Sequence, residues 1–214
     1  MTADASGIVL AGGRSVRFGG DKLSAVIDGR ALLDRAVDRL AEICREVIVV
    51  VAPGDRSRMK RWSSRLASIR VVQETEAYRG PLAGLATGLE ATAFSLVLVV
   101  GGDMPMLVRG VLELLLGSLA TSDATAAVLG SGDRVEPLPM ALRRNAALTA
   151  ARLTLGHGDR SLLALLDGVR VATVPEHAWR ALDPDGATLL DVDVPADLPA
   201  GRSAGQPAQR EFRR

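Results

Sequence analysis

Apolar positions along the chain follow two periods, and the periods alternate. Residues 6–10 form a short apolar run ending in a glycine cluster, the pattern of a buried first strand. Over residues 31–44, Leu32, Leu33, Ala36, Val37, Leu40 and Ile43 recur at helical spacing, with Asp34, Arg35, Asp38 and Arg39 opposite them. Residues 47–51 are five consecutive β-branched side chains. A run that is apolar on both faces belongs in the middle of a sheet covered by helices. Residues 69–72 repeat the pattern more briefly. A short helix is expected at 84–93 and a second two-sided strand at 96–100. A helix over 108–119 turns Leu112, Leu115, Leu116 and Leu119 inward. Further strands are expected at 125–129, 139–142 and 169–174, with a last short one at 189–192. Residues 145–155 and 161–166 read as helices.

Strands alternating with helices imply right-handed crossovers and a mostly parallel central sheet, a three-layer, Rossmann-like α/β architecture. Ligands of such sheets sit at the carboxyl ends of the strands. The 214 residues suit one domain, assigned to 1–198. Residues 199–214 are Gly, Ser, Ala, Pro, Gln and Arg with almost nothing apolar, the composition of a disordered tail.

Composition narrows the partners. The net charge is +1 and only 3% of residues are aromatic, so neither a basic field nor a stacking platform for nucleic acid is expected. No stretch reaches the roughly 18 apolar residues of a membrane span, and there is no basic leader, so a cytoplasmic protein without membrane contact is expected. The single cysteine, Cys44, falls on the apolar side of the helix expected at 31–44 and reads as a small buried hydrophobe.

The most informative stretch runs from Leu10 to Lys22: Leu10, Ala11, Gly12, Gly13, Arg14, Ser15, Val16, Arg17, Phe18, Gly19, Gly20, Asp21, Lys22. Directly after a strand, Gly12 and Gly13 let the backbone turn tightly and approach a ligand with no Cβ in the way. Exposed backbone N–H groups in such a loop make an anion-binding nest. Arg14, Arg17 and Lys22 add three cations within nine residues, and a triphosphate needs both directional donors and positive charge. The spacing is neither that of a Walker loop nor of a dinucleotide fingerprint.

Three later segments carry compatible chemistry. Gly80, Pro81 and Leu82 open a helix, with Pro81 in its first turn, bringing a helix N-terminus toward a ligand. Asp103 follows the most hydrophobic strand, where a carboxylate is well placed to hold a hard cation. Asp191 and Asp193 alternate near the end of the domain. His157 and His177 lie in loops without clustered partners and read as surface residues.

The pattern Leu-Ala-Gly-Gly-x-Ser-x-Arg-x-Gly-x-x-Lys at Leu10–Lys22 is similar to the signature of the nucleotidyltransferase superfamily, and within it the chain resembles the molybdenum cofactor guanylyltransferases. The resemblance spans residues 6–198 and implies the nucleotidyltransferase fold. It implies a loop (Leu10, Ala11, Gly12, Gly13) that wraps the triphosphate, with Lys22 stabilising charge on the α-phosphate and departing pyrophosphate and Arg17 supporting it. It further implies that Gly80, Pro81 and Leu82 lie against base and ribose, that Glu74 contacts the nucleotide, and that Asp103 binds Mg²⁺ with Asp193 as second metal contact. Asp197 and Leu198 continue the latter motif. Aspartate at 191 and 193 departs from the asparagines usual there. Residues 132–139 and 156–163 resemble the acceptor-side segments, with Glu136 where histidine is common. At the end of the second strand Val49, Val50, Val51 and Ala52 offer no polar side chain, so base contacts there fall to the backbone.

The implied activity is transfer of GMP from GTP to the terminal phosphate of molybdenum-charged molybdopterin, with release of pyrophosphate. A recipient molybdoenzyme or its chaperone would take the product. Cytidylyl transfer to the same acceptor, another small-molecule nucleotidyl transfer and a non-catalytic cofactor-delivery role are the alternatives. Gly12-Gly13 and residues 80–84 speak for guanine over cytosine, and retention of Lys22 and Asp103 speaks for an enzyme.

Overall fold

The computed structural model describes residues 2–13, 21–55, 58, 62, 64–75 and 80–197; Arg14, Arg17, Leu198 and the segment 199–214 lie outside the described residues. In chain order the strands are β1 (Ala3–Ala11), β2 (Val26–Ile27), β3 (Arg30–Ala31), β4 (Cys44–Val51), β5 (Ser68–Gln73), β6 (Leu96–Gly101), β7 (Ala126–Ser131), β8 (Arg134–Arg143) and β9 (Val171–Val174). The helices are α1 (Leu32–Ala41), α2 (Pro81–Ala91), α3 (Arg109–Ala120), α4 (Arg144–Gly156), α5 (Leu162–Asp167) and α6 (Glu176–Arg180).

Seven strands form one sheet in the order β5-β4-β1-β6-β8-β7-β9, and β2 pairs with β3 in a separate small hairpin. Within the large sheet only β8 runs against its neighbours, antiparallel to both β6 and β7. The five-residue β-branched run sits within β4, flanked by β1 and β5, buried on both faces as expected.

Alternate side chains of the central strands feed two cores. Val9, Val49, Val51, Leu98 and Val100 point to one face, where they meet Val37, Leu40, Leu112, Leu115 and Trp179 of α1, α3 and α6. Ile8, Ile48, Val50, Val97 and Val99 point to the other, against Leu82, Leu85, Leu89, Ala147 and Leu165 of α2, α4 and α5. This is the three-layer α/β architecture expected from the two interleaved periods.

Several boundaries differ from expectation. The first helix stops at Ala41, and Cys44 is the buried first residue of β4 rather than part of the helix. Helix α2 starts at Pro81, three residues earlier than its apolar periodicity suggests, because proline at the first helical position loses no hydrogen bond. The strand expected at 189–192 is absent: Ala187–Leu189 is a 3-10 turn, and the chain then runs extended without joining the sheet. Its one sheet-like bond is Val192 N–H to the Asp103 carbonyl, 3.1 Å. Leu189, Leu190 and Val192, interrupted by Asp191, build no ladder, and Val192 instead buries its side chain with Ile27 and Leu32.

Candidate active site

Strands β1, β4 and β6 end level with one another, Leu10 pairing with both Val50 and Gly101. Three connections therefore leave the same edge of the sheet: Gly12 onward from β1, Ala52 onward from β4, and Gly102 onward from β6. A bond from Gly102 N–H to the Leu10 carbonyl, 2.9 Å, closes the β6 turn onto β1. Asp103 comes next.

Lys22 returns the glycine-rich connection to this edge. It opens a 3-10 turn, is only 8% exposed, and its Nζ lies 2.9 Å from Asp103 Oδ2 and 2.8 Å from Asp193 Oδ1. Residues 22, 103 and 193 are thus brought together from three distant parts of the chain. Burial by itself would lower the Lys22 pKa, but the hydrogen bonds and charges of Asp193 and Asp103 outweigh it and hold the ammonium above its ordinary value. Asp191 is exposed as a residue, yet desolvation of its carboxyl, followed by repulsion from Asp193 and Asp103, holds it above the usual carboxylate range. Among the described residues, Lys22 therefore stands against all three carboxylates.

On the other side of Gly12 stands Glu74, whose backbone N–H donates to the Val51 carbonyl at 2.9 Å. Its side chain is buried and, among the described residues, receives no hydrogen bond, and burial pushes its pKa up. A Cβ added at Gly12 would collide with Glu74 Oε1, and Gly84 of α2 faces the same oxygen. A side chain at position 12 would therefore displace the Glu74 carboxylate.

Gly80 caps α2 with φ +89°, a conformation that favours glycine, and a Cβ there would press on Arg160. Leu82 N–H donates to the Arg160 carbonyl, 3.2 Å, so the loop before α5 is docked on the start of α2. The β7–β8 turn projects beyond the same carboxyl edge, its Gly132 N–H held by Glu176 at 2.9 Å. Both segments expected on the acceptor side flank the edge that carries Lys22, Asp103 and Glu74.

Other contacts were not legible in the sequence. Arg35 and Arg39, read as a solvent-facing stripe of α1, turn onto the loop after Asp103: Arg35 Nε reaches the Pro105 carbonyl at 3.2 Å and Arg39 Nε the Leu107 carbonyl at 2.8 Å. Arg58 pairs with both Asp21 and Asp55, joining the residue before Lys22 to the β4–β5 connection. Asp183 accepts the N–H groups of Ala187 and Thr188, and the Thr188 hydroxyl accepts Val108 N–H at 3.1 Å. Two arginines at i, i+4 on a helix signal only a polar face; their partners here are backbone carbonyls some 70 residues away.

A model of the MobA-like NTP transferase domain matches residues 7–174. The chain belongs to this family. It is a nucleotidyltransferase. The probable molybdenum cofactor guanylyltransferase of Chloroflexus aggregans is 32% identical over 197 residues, covering 90% of this chain and 91% of that one. The molybdenum cofactor guanylyltransferase of Desulfosudis oleivorans is 28% identical over 201 residues, covering 93% and 95%. Among solved structures, molybdopterin-guanine dinucleotide biosynthesis protein A from Archaeoglobus fulgidus superposes with a TM-score of 0.73 at 23% identity, covering 90% and 94% of the two chains. The shared fold thus runs through most of the chain. No helix among the described residues is long and apolar enough to cross a membrane.

Proposed function

We propose that this MobA-like transferase moves GMP from GTP onto the terminal phosphate of molybdenum-charged molybdopterin, forming the dinucleotide cofactor and releasing pyrophosphate. The observation that carries the reading is the buried Lys22 ammonium at the carboxyl edge, shared by Asp103 and Asp193 beside a glycine-rich connection. The names of the Chloroflexus and Desulfosudis relatives support the acceptor.

Choice of base rests on Glu74. An ionised carboxylate only accepts hydrogen bonds, and guanine presents two adjacent donors, N1–H and the 2-amino group, whereas cytosine presents one. A buried carboxylate with no donor among the described residues matches guanine, whose two donors offset the desolvation that raises its pKa.

Asp103 and Asp193 suit Mg²⁺. That ion takes one or two carboxylates and completes its shell with phosphate oxygens and water, and here two carboxylates converge on one point while no larger acidic cage exists among the described residues. Bound there, Mg²⁺ supplies neutralisation of charge on the phosphates. The chain's own groups do the rest. N–H groups after β1 hold the triphosphate, and Lys22 leaves its carboxylates to stabilise the α-phosphate and the departing pyrophosphate. The acceptor phosphate, already ionised, attacks in line without a general base, so positioning and electrostatics supply the catalysis. Arg17, given the same supporting role, lies outside the described residues.

Incubation with molybdenum-charged molybdopterin and each NTP in turn tests this. Pyrophosphate release and a guanine dinucleotide product are expected with GTP alone. Product from CTP alone moves the chain to cytidylyl transfer, and no product with any NTP overturns the reading.

A further inference from the structure

Asp193 reaches Lys22 from a part of the chain that lies outside the sheet. After β9 the chain enters α6, turns and, among the described residues, does not rejoin the sheet, so no strand ladder sets the direction of the Asp193 side chain. Val192, fully buried with Ile27 and Leu32, anchors one side. The other anchor is Asp197. Its Oδ2 accepts the N–H of Asp193 and the N–H of Val194, each at 2.8 Å, while its own N–H donates to the Val194 carbonyl at 3.0 Å.

We infer that Asp197 is a positioning residue for the transfer reaction: its carboxylate clamps the 193–194 backbone and thereby aims Asp193 at Lys22. This rests on the nucleotidyl-transfer reading above and adds to it a residue that touches neither nucleotide nor acceptor. The physical case has two parts. A carboxylate accepting two backbone N–H groups forms charge-assisted bonds, stronger than neutral ones. An acid would also be a poor neighbour for the carboxylates at 103, 191 and 193 if it had no such task. Fixing it on backbone donors keeps its charge directed away from the Lys22 ammonium, which stays with Asp103 and Asp193.

Asp197→Ala removes the oxygen that accepts both N–H groups, whereas Asp197→Asn keeps a carbonyl oxygen in the same place. Hydrogen exchange of the Asp193 and Val194 amides in the ligand-free full chain reads the clamp directly, and steady-state kinetics read its consequence. In Asp197→Ala both amides are expected to exchange faster, and kcat to fall about tenfold with KM for GTP within about twofold, since a misplaced group costs rate more than binding. Asp197→Asn is expected to restore both. Asp197→Ser, which retains a short single acceptor, serves in place of alanine should that variant fail to fold, with an intermediate result expected. Wild-type kcat in a folded Asp197→Ala protein overturns the inference, as does a loss that Asp197→Asn does not restore. Exchange is measured without nucleotide, so it is independent of the substrate reading. Protected amides in a chain that transfers no GMP count against that reading and not against the clamp; unprotected wild-type amides count against the clamp.

Discussion

Lys22 Nζ and Asp103 Oδ2 lie 2.9 Å apart across 81 positions of sequence, and Asp193 closes on the same ammonium. The lysine thus occupies the point at which a cation shared by Asp103 and Asp193 would be held. Replacement by methionine removes that charge from beside the two carboxylates. Lys22→Met is therefore expected to bind Mn²⁺ in the absence of nucleotide about tenfold more tightly than the native chain, ~1.4 kcal/mol, by electron paramagnetic resonance. In the same variant kcat is expected to fall by about 10²–10³. Unchanged Mn²⁺ affinity would show that the ammonium does not compete for the site.

Glu74 provides a test of base recognition that does not depend on the acceptor. Inosine triphosphate lacks the 2-amino donor of guanine, so a carboxylate that reads both donors separates the two nucleotides. The native chain is expected to bind GTP at least about tenfold more tightly than ITP, by about 1–3 kcal/mol. Glu74→Ala is expected to lower GTP affinity and nearly abolish the difference. Calorimetric titration measures both, and a difference that survives in Glu74→Ala rules out this contact.

Gly12→Ala drives a Cβ into Glu74 Oε1. The expected result is loss of GTP binding with the fold retained, because the clash lies at the mouth of the sheet and not in either core. Combining it with Glu74→Ala is expected to relieve the clash, so the two changes are non-additive. Additive losses of affinity would place the clash elsewhere.

Glu46, at the opposite end of the sheet, is expected to contribute to acid stability. Burial would raise its pKa, but Ala93 N–H, the Ser6 hydroxyl and Arg70 outweigh it and hold the carboxyl below the ordinary range. A carboxyl whose folded pKa is depressed stabilises the fold above its unfolded pKa, and that stability is lost as pH falls through the folded value. Glu46→Gln is expected to cost about 1–3 kcal/mol at pH 7 and to flatten the fall in urea midpoint below about pH 4. An unaltered acid limb would contradict this.

Cys44 is fully buried at the start of β4, and burial, assisted by the Glu46 charge, pushes its thiol up to about 12. It is expected to resist Ellman's reagent at pH 8 in the native chain and to react once on unfolding, because the thiolate is the reactive form. Rapid native labelling would mean that β4 opens readily.

The residue pattern was sufficient for the three-layer α/β architecture, since two-sided apolar strands at 47–51 and 96–100 demand helices on both faces of the sheet. It also makes anion binding an expectation for the connection after Leu10, because paired glycines and nearby cations act through local backbone geometry. Periodicity failed where an element is held by something other than its own period. The 189–192 run is mostly apolar but pairs with no strand of the sheet, and Cys44 satisfies a helix pattern while its backbone enters β4. Only tertiary structure decided that Lys22 is shared by Asp103 and Asp193, that Asp197 clamps the Asp193 backbone, and that Arg35 and Arg39 hold the loop beyond Asp103. Those contacts join segments separated by up to 171 positions, and their partners are often backbone groups, which every residue carries and no sequence pattern marks.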